Sequence, residues 1–333
     1  MKASVRPGAS YSTKIRLCCL CLAFLGVRGI AQNDGPAPSS RDKARGHAKA
    51  EEAVALHVDS NLVQIPVTVL DRNEQSIPGL EKETFRLFDD KTEQAITHFA
   101  VETAPISIGF VFDTSASMHN KMQKSREAVS TFLKTAVRDD EFFLVEFNDH
   151  VNMRTDFTKD VEEVERQLAY IQPTGRTALL DAIDLSIHHM RQAANTRRAL
   201  IIVSDGGDNR SRRTVGEIKS LVKEADVQIY AIGIFDPIEV RMLTPEDAAG
   251  PALLKNLAKQ SGGHLYEIEN LNQLAGVASK IGDALRTQYV LGYYPTQSKH
   301  DGKYHKVEVK LVQPKDRPKL QASWRRGYYA PGN

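Results

Sequence analysis

Residues 106–118 read ISIGFVFDTSASM: an apolar run that stops abruptly at Asp113 and hands over to Ser115 and Ser117, two hydroxyl residues spaced to turn back toward that carboxylate. Ile106, Ile108, Phe110, Val111 and Phe112 are too continuously apolar for a strand with one face in water, which predicts a central strand covered on both sides by helices. Oxygen ligands at the carboxyl end of such a strand suit a small hard cation.

Moving outward, helical and strand-like stretches alternate. Lys121–Arg138 has helical spacing through Ala128, Phe132 and Val137, and Phe142–Phe147 is an apolar strand. Val151–Phe157 reads as a shorter strand, Lys159–Ile171 as an amphipathic helix, Thr177–Ala194 as a long helix and Ala199–Ser204 as a second buried strand. Val215–Ala225, Leu253–Gln260 and Leu271–Leu285 are expected helices, with strands at Val227–Ile234 and His264–Ile268 between them. This order predicts an α/β fold, a Rossmann-like doubly wound and mainly parallel sheet.

Ligands of such sheets bind beyond the carboxyl ends of the strands, where strand order reverses. Three segments would meet there if the strands carrying Asp113 and Asp205 are neighbours. They are Asp113–Ser117; Thr174–Asp181, in which Gly175 permits a tight approach and Thr177 places a hydroxyl at a helix start; and Val203–Asn209, an acidic loop. Taken singly, each is a common pattern, and a Thr or Asp before a helix is usually an N-cap. Jointly, in this order and context, they predict one metal site.

The flanks have a different texture. Val63, Ile65, Val67 and Val69 alternate along one strand, in which Pro66 lacks an amide donor and calls for an edge or one-sided pairing. Further short strands are expected around the charged turn Asp89-Asp90-Lys91, and alternation returns at Tyr304–Val312 and Leu320–Trp324. Two incomplete β pieces are expected to pair into a small β-sandwich, with the α/β region inserted in it. The expected boundaries are 54–103 and 288–331 for the β pieces and 104–287 for the insert. Residues 1–31, with a basic start, an apolar core at Leu17–Val27 and small residues at Gly29-Ile30-Ala31, read as a cleaved secretory signal. The polar stretch 32–53 reads as a disordered linker. Cys18, Cys19 and Cys21 would leave with the signal, so no disulfide or thiolate site is expected after cleavage. The formal charge of +2 includes Lys2, Arg6, Lys14, Arg16 and Arg28; without these five of the 44 basic residues, 39 face 42 acidic ones, a balance of −3. Such a chain has no electrostatic reason to bind nucleic acid.

Asp113-x-Ser115-x-Ser117, with Thr177 and Asp205 following in order, resembles the metal-ion-dependent adhesion site of von Willebrand factor A (VWFA) domains, a similarity that covers about Ile106–Ala284. With the flanking stretches GLEKETFRLFDD, YVLGYYPT and RRGYYAP, the span Val58–Pro331 resembles a bacterial VWFA-related family of secreted proteins first grouped from acidobacteria. The resemblance implies an A domain carrying one divalent cation, with Asp113, Ser115, Ser117, Thr177 and Asp205 as ligands, directly or through water. Two carboxylates neutralise a dication, and three hydroxyls add coordination without charge, so the ion stays electrophilic toward an Asp or Glu of a partner protein. Mg²⁺ is the expected ion, with Mn²⁺ or Ca²⁺ as alternatives; zinc is disfavoured because no His or Cys lies in the three loops.

A secreted, non-catalytic protein-binding module is thus the first expectation, without a membrane span once the signal is cleaved. A Mg²⁺-dependent phosphate-handling enzyme is the second, opposed by the absence of a suitably placed Lys and of a Gly-rich phosphate cradle. A structural envelope protein with a vestigial site is the third. Among neighbouring residues, Asp208 reads as a solvated turn acid, Asp181 as a candidate hydrogen-bonding support, and Arg176 equally as a contact to an acidic ligand or a solvated side chain. His188 and His189, adjacent on a helix, are expected one on the surface and one in the core. Arg210–Arg213 reads as a solvated loop, and Trp324, Tyr328 and Tyr329 as core filling of the small sandwich.

Overall fold

All eight residues of Ile106–Asp113 are buried, the apolar ones as expected and Ser107 and Asp113 with them. The structure is a computed structural model describing residues 62–235, 249–296, 301–312 and 319–332. The expected signal, linker and three cysteines, and the start of the first β piece, lie outside the described residues. In chain order the elements are β1 (Val63–Leu70), β2 (Phe85–Asp89), β3 (Thr92–Gln94), β4 (His98–Glu102), β5 (Ile106–Asp113), α1 (Met122–Leu133), β6 (Glu141–Phe147), β7 (Val151–Thr158), α2 (Val161–Tyr170) and α3 (Leu179–His189). There follow β8 (Arg197–Ser204), α4 (Val215–Glu224), β9 (Gln228–Ile234), α5 (Gly250–Ser261), β10 (Leu265–Ile268), α6 (Leu274–Arg286), β11 (Gln288–Tyr293), β12 (Tyr304–Leu311), β13 (Gln321–Trp324) and β14 (Gly327–Tyr329).

The central sheet is six-stranded, in the order β10-β9-β8-β5-β6-β7. Only the β6–β7 pair is antiparallel. The fold is therefore α/β with a mainly parallel sheet. From β5 the chain builds β6 and β7 on one side and returns to place β8 on the other, so strand order reverses beside β5. Phe110 and Phe112 face a core shared with α1, α2 and α6, while Val111 faces one shared with α3, α4 and α5. Gly109 lies on that second face because a Cβ there would fall 2.1 Å from the Phe143 ring.

α1 and α3 are shorter than their sequence spacing predicts by more than a turn, for reasons visible in their end contacts. α1 stops at Leu133 because Thr135 folds its hydroxyl onto the Phe132 carbonyl (2.7 Å) and the Val137 amide donates to Asp140 Oδ2 (2.9 Å). α3 begins at Leu179 rather than Thr177 because the Thr177 amide and carbonyl are engaged by Asn209. α4 opens with a reciprocal cap: the Thr214 hydroxyl accepts from the Glu217 amide while Glu217 Oε2 accepts from the Thr214 amide at 2.7 Å. Thr214→Ala is expected to cost about 1 kcal/mol, read as a lower midpoint with unchanged slope in urea unfolding.

The flanking strands form two four-stranded sheets, β13-β1-β11-β4 and β14-β12-β2-β3. Ile65 and Val67 from β1, Leu87 from β2, Leu291 from β11, Val309 from β12 and Trp324 from β13 share one buried cluster. The Trp324 indole donates to the Val307 carbonyl (2.9 Å), whereas Tyr329 is 45% exposed. β1 is internal, but its pairing with β13 starts only at Val67, so Pro66 faces a partner, Val290 of β11, on one side. This satisfies the one-sided alternative that proline demands. A buried polar junction links these strands to the central sheet: Gln288 of β11 donates to Gln228 of β9 (2.6 Å), and the Thr68 and Tyr230 hydroxyls meet at 3.3 Å.

Candidate metal centre

Three loops converge at the carboxyl ends of β5 and β8, where the strand order reverses. The first and second are joined by backbone hydrogen bonds, Ala116 N–H to the Gly175 carbonyl (3.1 Å) and Thr174 N–H to the Thr114 carbonyl (2.8 Å). Second and third are joined at Thr177, whose amide donates to Asn209 Oδ1 (3.1 Å) and whose carbonyl accepts from the Asn209 and Arg210 amides. The turn between β6 and β7 braces the second loop through Ala178 N–H to the Asn148 carbonyl (2.9 Å). Gly175, at φ +76°, makes this packing possible: a Cβ would lie 2.0 Å from Asp149 Oδ2.

Asp113 is fully buried. Its Oδ1 accepts from the Ser115 amide (2.9 Å) and its Oδ2 from the Ser204 hydroxyl (2.6 Å), which itself accepts from the Gly206 amide (2.9 Å). Ser115 and Ser117 bring their hydroxyl oxygens within 3.0 Å of each other; Ser115 is buried and Ser117 exposed. Thr177 is buried and Asp205 is partly exposed. Asp205 Oδ2 accepts from Lys121 Nζ at 3.1 Å, an ion pair whose side chains are 14% and 7% exposed. Lys121 revises the expectation that no lysine serves these loops. Its partner is 84 residues away, a pairing that spacing alone does not reveal.

Of the neighbouring residues, Arg176 is exposed. Asp181 serves as a hydrogen-bonding support, accepting from the Arg212 and Arg213 amides just beyond the third loop at 2.9–3.0 Å. Asp208 is partly buried, not a solvated acid. Its carboxyl is pushed up by burial, against hydrogen bonds from Ser211 and the Leu179 amide. His188 is exposed, and His189 stacks on Phe157 with ring centroids 4.8 Å apart.

Burial first, and then the charge of Asp205, push the Asp113 carboxyl up to about 7 from its ordinary 3.8, against the pull of the hydrogen bonds from Ser115 and Ser204. A raised carboxyl means that, between those two values, the unfolded chain has released a proton that the folded chain still holds. Folding stability from this group therefore falls as pH rises through that window, with a slope of at most ~1.4 kcal/mol per pH unit. Urea unfolding of chelator-treated protein from pH 4.5 to 7.5 is expected to show that decline, and Asp113→Asn to remove it.

The donor chemistry fits a hard dication: two carboxylates whose charges oppose each other, hydroxyls around them, and no His or Cys in the three loops. Among the described residues no helix is long and apolar enough to cross a membrane.

Comparison with known proteins places this region. Residues 108–207 match the family model for the von Willebrand factor type A domain. The inter-alpha-trypsin inhibitor heavy chain H2 of Mus musculus is 29% identical over 150 residues, which cover 40% of this chain and 16% of that protein. An uncharacterized protein of Borreliella burgdorferi is 23% identical over 189 residues, covering 50% of this chain and 55% of that one. In structure, a von Willebrand factor type A protein from Catenulispora acidiphila superposes with a TM-score of 0.48 at 12% identity, covering 79% of this chain and 76% of that one. The segment from Ile108 to Gly207, bearing the buried carboxylate of β5 and the loops gathered around it, is thus part of a von Willebrand factor type A domain.

Proposed function

We propose that the chain is a metal-dependent protein-binding module, acting outside the cytoplasm, that takes one divalent cation at Asp113, Ser115, Ser117, Thr177 and Asp205. The observation that carries this reading is the fully buried Asp113 at the point where three loops are tied together, its carboxyl pushed up by burial first and then by the charge of Asp205. Lys121 offsets the charge of Asp205 through one oxygen, while Asp113 has only neutral hydrogen-bond donors, so a cation would complete the charge balance of the pair. A bound dication would supply a Lewis-acidic centre with a coordination position for an outside carboxylate. The chain's own residues do the rest. Asp113 is held by the Ser115 amide and the Ser204 hydroxyl, Ser115 and Ser117 present adjacent oxygens, and Lys121 holds one oxygen of Asp205. Mg²⁺ is the first ion to test, then Mn²⁺ and Ca²⁺, and the partner feature is a surface Asp or Glu. The reading assigns no catalytic step.

Capture from an envelope extract, with Mg²⁺ or with EDTA, tests it. Proteins retained with Mg²⁺ should be released by EDTA and not retained by Asp205→Asn; an unchanged set under both conditions overturns the reading. Lys121 beside Asp205 is the feature that keeps phosphoryl chemistry worth assaying. Mg²⁺-dependent phosphatase activity that Asp113→Asn abolishes would replace the binding reading with an enzymatic one.

A further inference from the structure

A second cluster of ligating side chains lies in the flanking strands, away from the three loops. Asp89 ends β2, Asp90 begins the turn to β3, and His305 lies on the neighbouring strand β12. In each of the three, one polar atom is pinned by the protein and the other is turned to a common point. Asp89 Oδ2 accepts from the Tyr293 and Tyr328 hydroxyls, both at 2.9 Å, while its Oδ1, on a residue only 7% exposed, makes no hydrogen bond. Asp90 Oδ1 accepts from the Lys306 amide (3.0 Å), and its Oδ2 lies 2.9 Å from His305 Nδ1. His305 Nε2 faces Asp301 Oδ1 at 3.3 Å, and its Nδ1 lies 3.8 Å from Asp89 Oδ1. The inward atoms Asp89 Oδ1, Asp90 Oδ2 and His305 Nδ1 all lie within 4.8 Å of one another. They border a cleft of about 100 Å³ that Thr92, Gln94 and Thr296 also line.

We propose that Asp89, Asp90 and His305 form a second metal site, for zinc or a similar borderline dication, that clamps the β2–β3 turn to β12. The chemistry separates it from the first centre: two carboxylate oxygens with one imidazole nitrogen select zinc over magnesium. Tetrahedral zinc, with ligands at 2.0–2.2 Å, holds its donor atoms about 3.3–3.6 Å apart, between the two separations at His305 Nδ1. Asp301 supplies the outer carboxylate that metal-bound imidazoles ordinarily use: by accepting a hydrogen bond from Nε2–H, it favours the tautomer whose Nδ1 lone pair faces inward. A doubly protonated His305 bridging Asp90 and Asp301 is the metal-free alternative, but at 3.8 Å it leaves buried Asp89 Oδ1 without a hydrogen. Asp90 (φ 44°) and Lys91 (φ 73°) are both left-handed, the backbone that a two-residue hairpin between Asp89 and Thr92 requires.

The test uses the full chain with Asp113→Asn, so that the first centre does not obscure the result. Zn²⁺ titration by calorimetry, with Co²⁺ absorption as a geometric reporter, is expected to show one bound ion and a raised melting temperature. Asp301→Asn should weaken Zn²⁺ on the order of 10–100-fold, and Asp90→Asn by more. Because the Asp90 side chain is 54% exposed, Asp90→Asn is expected to keep the fold, and near-ultraviolet circular dichroism checks this. His305→Gln should remove the Co²⁺ spectrum. No Zn²⁺ binding by the Asp113→Asn chain, or affinity unchanged by folded Asp90→Asn, overturns the proposal.

Discussion

Asp113→Asn is expected to lower Mg²⁺ affinity by more than the ~100-fold that marks the loss of an outer-sphere contact, without lowering the melting temperature of chelator-treated protein at pH 7. The two halves of this result have separate causes. Asn is nearly isosteric and can still accept from the Ser115 amide, while its NH₂ group can donate to the Ser204 oxygen, reversing that bond rather than leaving a cavity. What it removes is a buried charge held against Asp205, which is a cost to the chain and an attraction to a cation. Calorimetric titration with Mg²⁺ and a parallel melt measure both. Asp113→Ala is a poorer probe. The side chain is fully buried, and truncation leaves two donors, the Ser115 amide and the Ser204 hydroxyl, unpartnered at about 1–3 kcal/mol each. A Mg²⁺ isotherm unchanged in Asp113→Asn would remove Asp113 from the ligand set.

Asp140→Ala is expected to destabilise the protein by about 3–5 kcal/mol, the range for breaking one side of a buried ion pair, with no direct effect on the cation site. Asp140 is 1% exposed and pairs with Arg286 at the end of α6. The same carboxylate accepts from the Ile106 amide that starts β5 and from the Val137 amide after α1, both at 2.9 Å. One side chain thus ties three elements together at the end of the sheet opposite the metal centre. Urea unfolding should show the loss. Asp140→Asn keeps an acceptor and should cost less, and the ordering of the two variants separates the hydrogen bonds from the charge.

The central sheet was legible because its signals are local. Ile106, Ile108 and Phe110–Phe112 of β5 read as a continuous apolar run, and β5, β8, β9 and β10 were each followed by a helical period. The three loops were legible because short polar motifs interrupt those strands at their carboxyl ends. Contacts between distant segments were not legible. Nothing near Lys121 points to Asp205, and nothing near Thr177 reveals that Asn209 takes its amide and so delays α3 by two residues. Asp208 was misjudged for the same reason: two preceding glycines suggest solvent, while burial comes from the start of α3, which its carboxylate meets at Leu179. The Asp89-Asp90 pair read as an ordinary charged turn because its third partner, His305, lies at the far end of the sequence.

The pairing of β1 with both β11 and β13 has a mechanical corollary. Tension applied between residue 62 and residue 332 would run through that ladder and its neighbours, while the six-stranded sheet hangs off the load path between β4 and β11, which are themselves paired from Gln288–Glu102 onward. Pulling at those two residues would peel the outer strands before the crevice around Asp113 felt any load, so the outer strands and the crevice would yield at different forces.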